Sequence, residues 1–173
     1  MKRKLTLSAI ASVILFIVLR FQGAALKTPI SKRAIVDLEF ADTPIRVQEL
    51  FAVWNMQTVR INVWIDFLFI IAYVSFLSLA SKATALKWKS NSFKQIGYTC
   101  SRLAFVAGLF DVCENILMLQ TTAGDFTTVS LQLTFYCAAI KFLFTGFIIL
   151  YLLISLSVVV KNKMTQSKNI GNQ

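Results

Sequence analysis

The stretch FDVCENILMLQ, residues 110–120, sets Asp111, Glu114 and Asn115 among apolar neighbours. On an α-helix, spacings of three and four put these groups on one face, with Met118 continuing the stripe in one direction and Ala104, Ala107 and Gly108 continuing it in the other. Two carboxyl groups and an amide on one stripe can move a proton, hold a hard cation or grip the polar end of a ligand. Two other apolar stretches carry matching groups. RINVWIDFLFIIAY, which starts at Arg60, aligns Asn62, Asp66 and Tyr73, and residues 131–160 align Thr134, Cys137, Lys141 and Thr145.

The elements that hold these groups are membrane spans. The chain is 57% hydrophobic and 15% charged, against about 45–50% and about 25% in ordinary soluble domains. Apolar stretches near the length of about 20 residues needed to cross a bilayer fall at about 5–20, 61–81, 97–120 and 131–160. The last, about 30 residues long, must tilt or project from the bilayer. The fold class is therefore all-α: a polytopic membrane protein, a single four-transmembrane-helix bundle over 1–160, followed by a polar tail at 161–173 expected to be unstructured. In the connection of about 40 residues between the first two spans, DTPIRVQELFAVWN predicts an extracytoplasmic amphipathic helix at about 44–56. Thr43 is its N-cap, Pro44 its first residue, and Val47, Leu50, Phe51 and Trp54 its apolar face.

Charge sets the expected orientation. Lys2, Arg3 and Lys4, the group Lys82, Lys87, Lys89 and Lys94, and the group Lys161, Lys163 and Lys168 flank the spans with no acid among them. The other side mixes Lys27, Lys32, Arg33, Arg46 and Arg60 with Asp37, Glu39, Asp42, Glu49 and Asp125. Positive charge marks the cytoplasmic side, so both termini are expected there, in a cell (plasma or inner) membrane. The formal charge of +10 is then a topology signal with membrane lipids as partner; no aromatic platform accompanies it, and no nucleic-acid partner is expected. The basic start and Gly23-Ala24-Ala25 also resemble a cleavable signal. The shortness of the run and the ability of Arg20 to reach the interface favour a retained anchor. Cys100, Cys113 and Cys137 all fall within spans and are expected to be free thiols.

A helix rise of about 1.5 Å per residue estimates how deep the polar groups lie. Asp66 comes out roughly 8–9 Å and Glu114 roughly 10 Å from the outer ends of their spans, and Asp111 and Lys141 roughly 15 Å. The expectation is an upper level of Asp66, Glu114 and Asn115 above a deeper level of Asp111 and Lys141, in one inward-facing cluster. Each charge at mid-bilayer costs about 2.5–3.5 kcal/mol on insertion scales, which disfavours exposure to lipid. Asp66, Asp111 and Glu114 against Lys141 leave two formal negative charges over. Protonation, a bound cation, a cationic ligand or a water-filled cavity can remove them. Asn62 and Tyr73, taken singly, read as helix-to-helix contacts.

DLEFADTP, WIDFLFIIAY and FDVCEN together resemble a group of small uncharacterised bacterial four-span membrane proteins, over most of residues 37–115. The resemblance implies architecture and adds Glu39 and Asp42 as acids that either bend into the cluster or stay solvated and cap the next helix.

Without histidine, imidazole metal ligands, triads and relays are missing, and no glycine-rich phosphate loop occurs. No resident metal and no cofactor are expected. The ligand-binding candidates are Asp66, Asp111, Glu114, Asn115, Lys141, Asn62, Tyr73 and Glu39. The leading expectation is a site that binds or transports a small polar or amphipathic ligand or a cation, with a homo-oligomer completing any pathway. The alternatives are a lipid-modifying enzyme using carboxylate acid/base chemistry and an accessory subunit of a membrane complex.

Overall fold

The computed structural model describes the backbone of residues 1–170 and the side chains of residues 1–157. Its elements are α1 (Lys2–Gln22), a 3₁₀ turn (Gly23–Leu26), the single turn α2 (Val36–Glu39), α3 (Pro44–Val53), α4 (Met56–Ala85), α5 (Asn91–Thr122) and α6 (Thr128–Ile170). Four segments are long and apolar enough to cross a membrane: Lys2–Leu26, Met56–Ala85, Asn91–Thr122 and Thr128–Ser157. The tail at 161–173 lies outside the described residues except for the α6 backbone up to Ile170.

Local chemistry fixes the helix starts. Thr43 is extended, its hydroxyl accepts the Arg46 N–H, and Pro44 occupies the first turn of α3, as the sequence predicts. Asn55 caps α4 by accepting the N–H groups of Gln57 and Thr58 at 2.9 and 3.2 Å. Helices α4, α5 and α6 begin at Met56, Asn91 and Thr128, a few residues before the apolar stretches that mark their membrane portions. Arg60, inside α4, donates to the Thr122 carbonyl at 2.9 Å and satisfies the last turn of α5, where the helix dipole favours a cation.

The spanning helices pack in chain order around α4 and α5. Helix α4 lies along α5, α5 along α6, and α1 rests on α4 without substantial packing on α5 or α6. Close approach is possible where side chains are small. A Cβ on Gly108 would stand 2.5 Å from Cγ2 of Val74, and one on Gly97 would meet Ala85 and the Tyr151 hydroxyl. Leu68, Ile71, Leu109, Ile116, Leu143 and Leu150 point outward, as lipid-facing residues do. The thiols are free: Cys100 buried, Cys137 half-buried and Cys113 exposed.

Two apolar cores form inside the bundle. One, at the end carrying the 23–55 connection, joins Leu26, Leu38, Val47, Leu50 and Trp54 to Val59, Val63, Met118 and Leu131. The other joins Ile70, Val74, Leu77, Cys100, Ala104 and Ile148. The polar residues of α4, α5 and α6 lie between them in sequence. The connection is folded back on the bundle: Trp54 Nε1 donates to the Leu26 carbonyl at 2.7 Å, and Ala34 takes a left-handed conformation, φ 58°. The carboxylate of Asp37 then accepts from the Arg33 backbone (2.9 Å), Arg33 Nε (3.0 Å) and the Ser31 hydroxyl (3.1 Å). Burial works against this carboxylate, but those hydrogen bonds hold its pKa below the ordinary aspartate value. The knot presents α2 edge-on to the bundle, with Leu38 and Glu39 facing in.

Candidate functional site: a buried acid–lysine cluster beside a cavity

Lys141 is the centre of the cluster. From α6 its ammonium donates to Asp111 Oδ1 and to Glu114 Oε1, both at 2.8 Å and both on α5. Glu39 Oε2, from α2, lies 3.6 Å from the same nitrogen. That distance is an ion contact, longer than a hydrogen bond. The Tyr73 hydroxyl of α4 donates to the free oxygen of Asp111 at 2.7 Å. Beside this group, Asn115 Nδ2 donates to Asp66 Oδ2 at 2.7 Å. All four elements thus meet through side-chain chemistry, as the sequence reading expects for one inward-facing cluster.

The two expected levels need correction. Glu114 belongs with Asp111 and Lys141, whereas Asp66 pairs with Asn115 and has no lysine or arginine partner among the described residues. The reason is mechanical: carboxyls at i and i+3 are one turn apart, and the flexible four-carbon lysine stem lets one ammonium sit between them. Tyr73 is part of the cluster instead of a separate helix contact. Asn62 behaves as a helix tie. Its Nδ2 donates to Gln22 Oε1 and to the Leu19 carbonyl, and Gln22 donates to the Thr58 carbonyl, which fastens α1 to α4. Of the two loop acids, Glu39 is buried and Asp42 is exposed.

Glu39 raises the charge imbalance. Asp66, Asp111, Glu114 and Glu39 now face one ammonium, a formal excess of three negative charges. Burial pushes the Glu39 carboxyl above its ordinary pKa; Lys141 opposes the shift and the charge of Asp111 adds to it. Some acceptors are also left short of donors. Glu39 Oε2, Glu114 Oε2 and Asn115 Oδ1 are buried without a hydrogen-bond partner, and an unpaired buried polar atom costs about 1–3 kcal/mol.

A cavity of about 460 Å³ runs past this cluster. Glu39, Asp66, Asp111, Asn115, Tyr73 and Lys141 line it, whereas Glu114 does not. Glu114 is fully enclosed, 0% exposed, so its role is to pair with Lys141. Phe16 of α1, Phe76 and Leu77 of α4, and Phe142 and Ile149 of α6 form the apolar walls. Arg20, Lys27 and Arg33 line the end nearest the connection. Helices α1 and α6 both border the cavity and make little contact with each other. An apolar slot with a few convergent polar groups is the usual form of a small-molecule site.

Among the described residues no group of three metal-ligating side chains has the arrangement of a metal site. No known family model matches the chain, and no curated protein or solved structure is significantly similar to it.

Proposed function

We propose that this membrane protein binds an amphipathic molecule drawn from the bilayer, its hydrocarbon part in the slot and its polar part against Asp66 and the Lys141 cluster. The observation that carries this reading is the position of the cluster. A structural staple would be sealed among packed helices, whereas this one forms a wall of an apolar cavity and leaves acceptors without donors. A ligand with hydrogen-bond donors would serve Glu39 and Asn115, the two of these residues on the cavity wall, and fill the slot at once. Release to another protein or across the membrane would make the same site part of a transport pathway, with a second copy of the chain as the simplest complement.

A catalytic reading is favoured by one contact. The Tyr73 hydroxyl on Asp111, itself bonded to Lys141, is a three-member chain on the cavity wall and suits proton transfer to a bound lipid. The two readings diverge in the fate of the ligand, which is recovered unchanged from a binding protein and altered from an enzyme.

Thr145, half-buried on the cavity wall, is the place to block the slot. In detergent-purified protein, Thr145→Trp is expected to abolish retention of co-purifying amphiphiles seen by native mass spectrometry, with the helical circular dichroism unchanged. Undiminished retention in a folded Thr145→Trp protein rules the reading out.

A further inference from the structure

The cavity is graded along its length. Asn62 bonds to the end of α1, so the turn carrying Arg20 is level with Asn62, and Asp66 lies one turn further in, about 6 Å along α4. From Asn62 to Leu77, both on the wall, the slot is roughly 22 Å long. A slot of that length with largely apolar walls suits the extended hydrocarbon chain of a lipid.

Three zones follow in order. At the connection end, Arg20, Lys27 and Arg33 border the cavity. Arg20 and Lys27 are exposed and have no ion-pair partner among the described residues, while Arg33 is tied through Nε to Asp37. Next comes a zone of acceptors: Asp66, Asn115 with its unbonded Oδ1, and Glu39 with its unbonded Oε2. Asn115 and Glu39 are 0% and 6% exposed. Beyond Tyr73 the walls are Phe76, Leu77, Phe16 and Ile149.

Resting on the binding function proposed above, we infer that the ligand is a single-chain lipid phosphate with free hydroxyl groups, of monoacyl glycerophosphate chemistry. Each zone selects one part of it. The chain lies along the apolar walls of the slot. The glycerol hydroxyls donate to Asp66 and Asn115, which have acceptor capacity and too few donors. The phosphate meets Arg20 and Lys27 at the mouth, where cations stand without counter-charges. A cationic head at the mouth would be repelled, and a fully esterified glycerol would bring no donor to the acceptor zone.

The test uses the full chain, purified and stripped of endogenous lipid, with equimolar monoacyl glycerophosphate, the matching monoacylglycerol and the matching diacyl glycerophosphate in native mass spectrometry. The monoacyl phosphate is expected to be retained at least tenfold over either competitor. Arg20→Gln combined with Lys27→Gln should remove its advantage over the monoacylglycerol, and Asp66→Asn should lower its advantage over the diacyl lipid. These sites are exposed or only half-buried, and melting temperature checks that each variant is folded. Equal retention of either competitor by the wild-type chain, or an undiminished preference in the double variant, overturns the inference and leaves amphiphile binding standing. Retention of none of the three, together with retention of other amphiphiles, overturns it equally. A chain that retains no amphiphile at all removes both readings.

Discussion

Lys141 holds two carboxylates at hydrogen-bond distance and a third at ion-contact distance. Removing one member of a buried ion pair strands the other charge, which costs about 3–5 kcal/mol, whereas removing both is often close to neutral. Lys141→Met is therefore expected to lower unfolding stability in detergent by about 3–5 kcal/mol. Adding Asp111→Asn and Glu114→Gln should return most of the loss, and a triple variant as unstable as the single one would show that the cluster is not the source. Asp111, Glu114 and Lys141 were legible in the sequence because helical spacing and the cost of charge in lipid both depend on short-range information. Glu39 was visible only as one of two loop acids. Its burial depends on the turn at Ala34 and the Arg33–Asp37 knot, which aim α2 inward while Asp42 stays in solvent. The partner of Asn62 was hidden for a similar reason: it shares a face with Asp66 but meets α1, whose rotation against α4 leaves no periodic trace.

At the scale of the helices, four spans and the capped surface helix could be read from hydropathy, periodicity and the Thr43-Pro44 pair. The true helix starts could not be read from hydropathy, because a helix continues past the bilayer edge until a cap such as Asn55 ends it. The glycines were visible as residues but their roles were not, since a close approach is a property of two helices. Gly97 and Gly146 make the contrast measurable. A Cβ on Gly97 would stand 2.6 Å from that of Ala85, so α4 and α5 would have to part, and it would also displace the Tyr151 ring; nothing lies within 4 Å of a Cβ on Gly146. Gly97→Ala is expected to destabilise the bundle by about 1–3 kcal/mol through overpacking. Gly146→Ala, in the interior of α6, should be neutral or stabilising by about 0.5–1 kcal/mol. Thermal melts of the two variants in one detergent provide the comparison, and equal melting points would mean that the bundle is not closely packed at Gly97.

For the whole molecule, the direction of the cavity mouth decides which leaflet could supply the proposed ligand. Four crossings return the chain to its starting side, so the N-terminus and the 86–90 turn share a face opposite the 23–55 connection. On the N-terminal face the sequence places ten lysines and arginines, at 2, 3, 4, 82, 87, 89, 94, 161, 163 and 168; on the mouth face it places six, at 20, 27, 32, 33, 46 and 60. Three of those six are already engaged: Arg33 with Asp37, Arg46 with Glu49, and Arg60 with the Thr122 carbonyl. By the positive-inside rule this cationic excess predicts a cytoplasmic N-terminal face, which would set the mouth in the outer leaflet. Single cysteines test this in a chain whose three native cysteines are replaced by alanine. Ser90→Cys and Asp125→Cys stand at exposed positions in opposite turns. A membrane-impermeant maleimide is expected to label Asp125→Cys in intact cells and Ser90→Cys only after permeabilisation. The reverse pattern would turn the mouth toward the cytoplasm, and Arg20 and Lys27 would then meet lipid from the inner leaflet, where anionic headgroups are the main competitors for them.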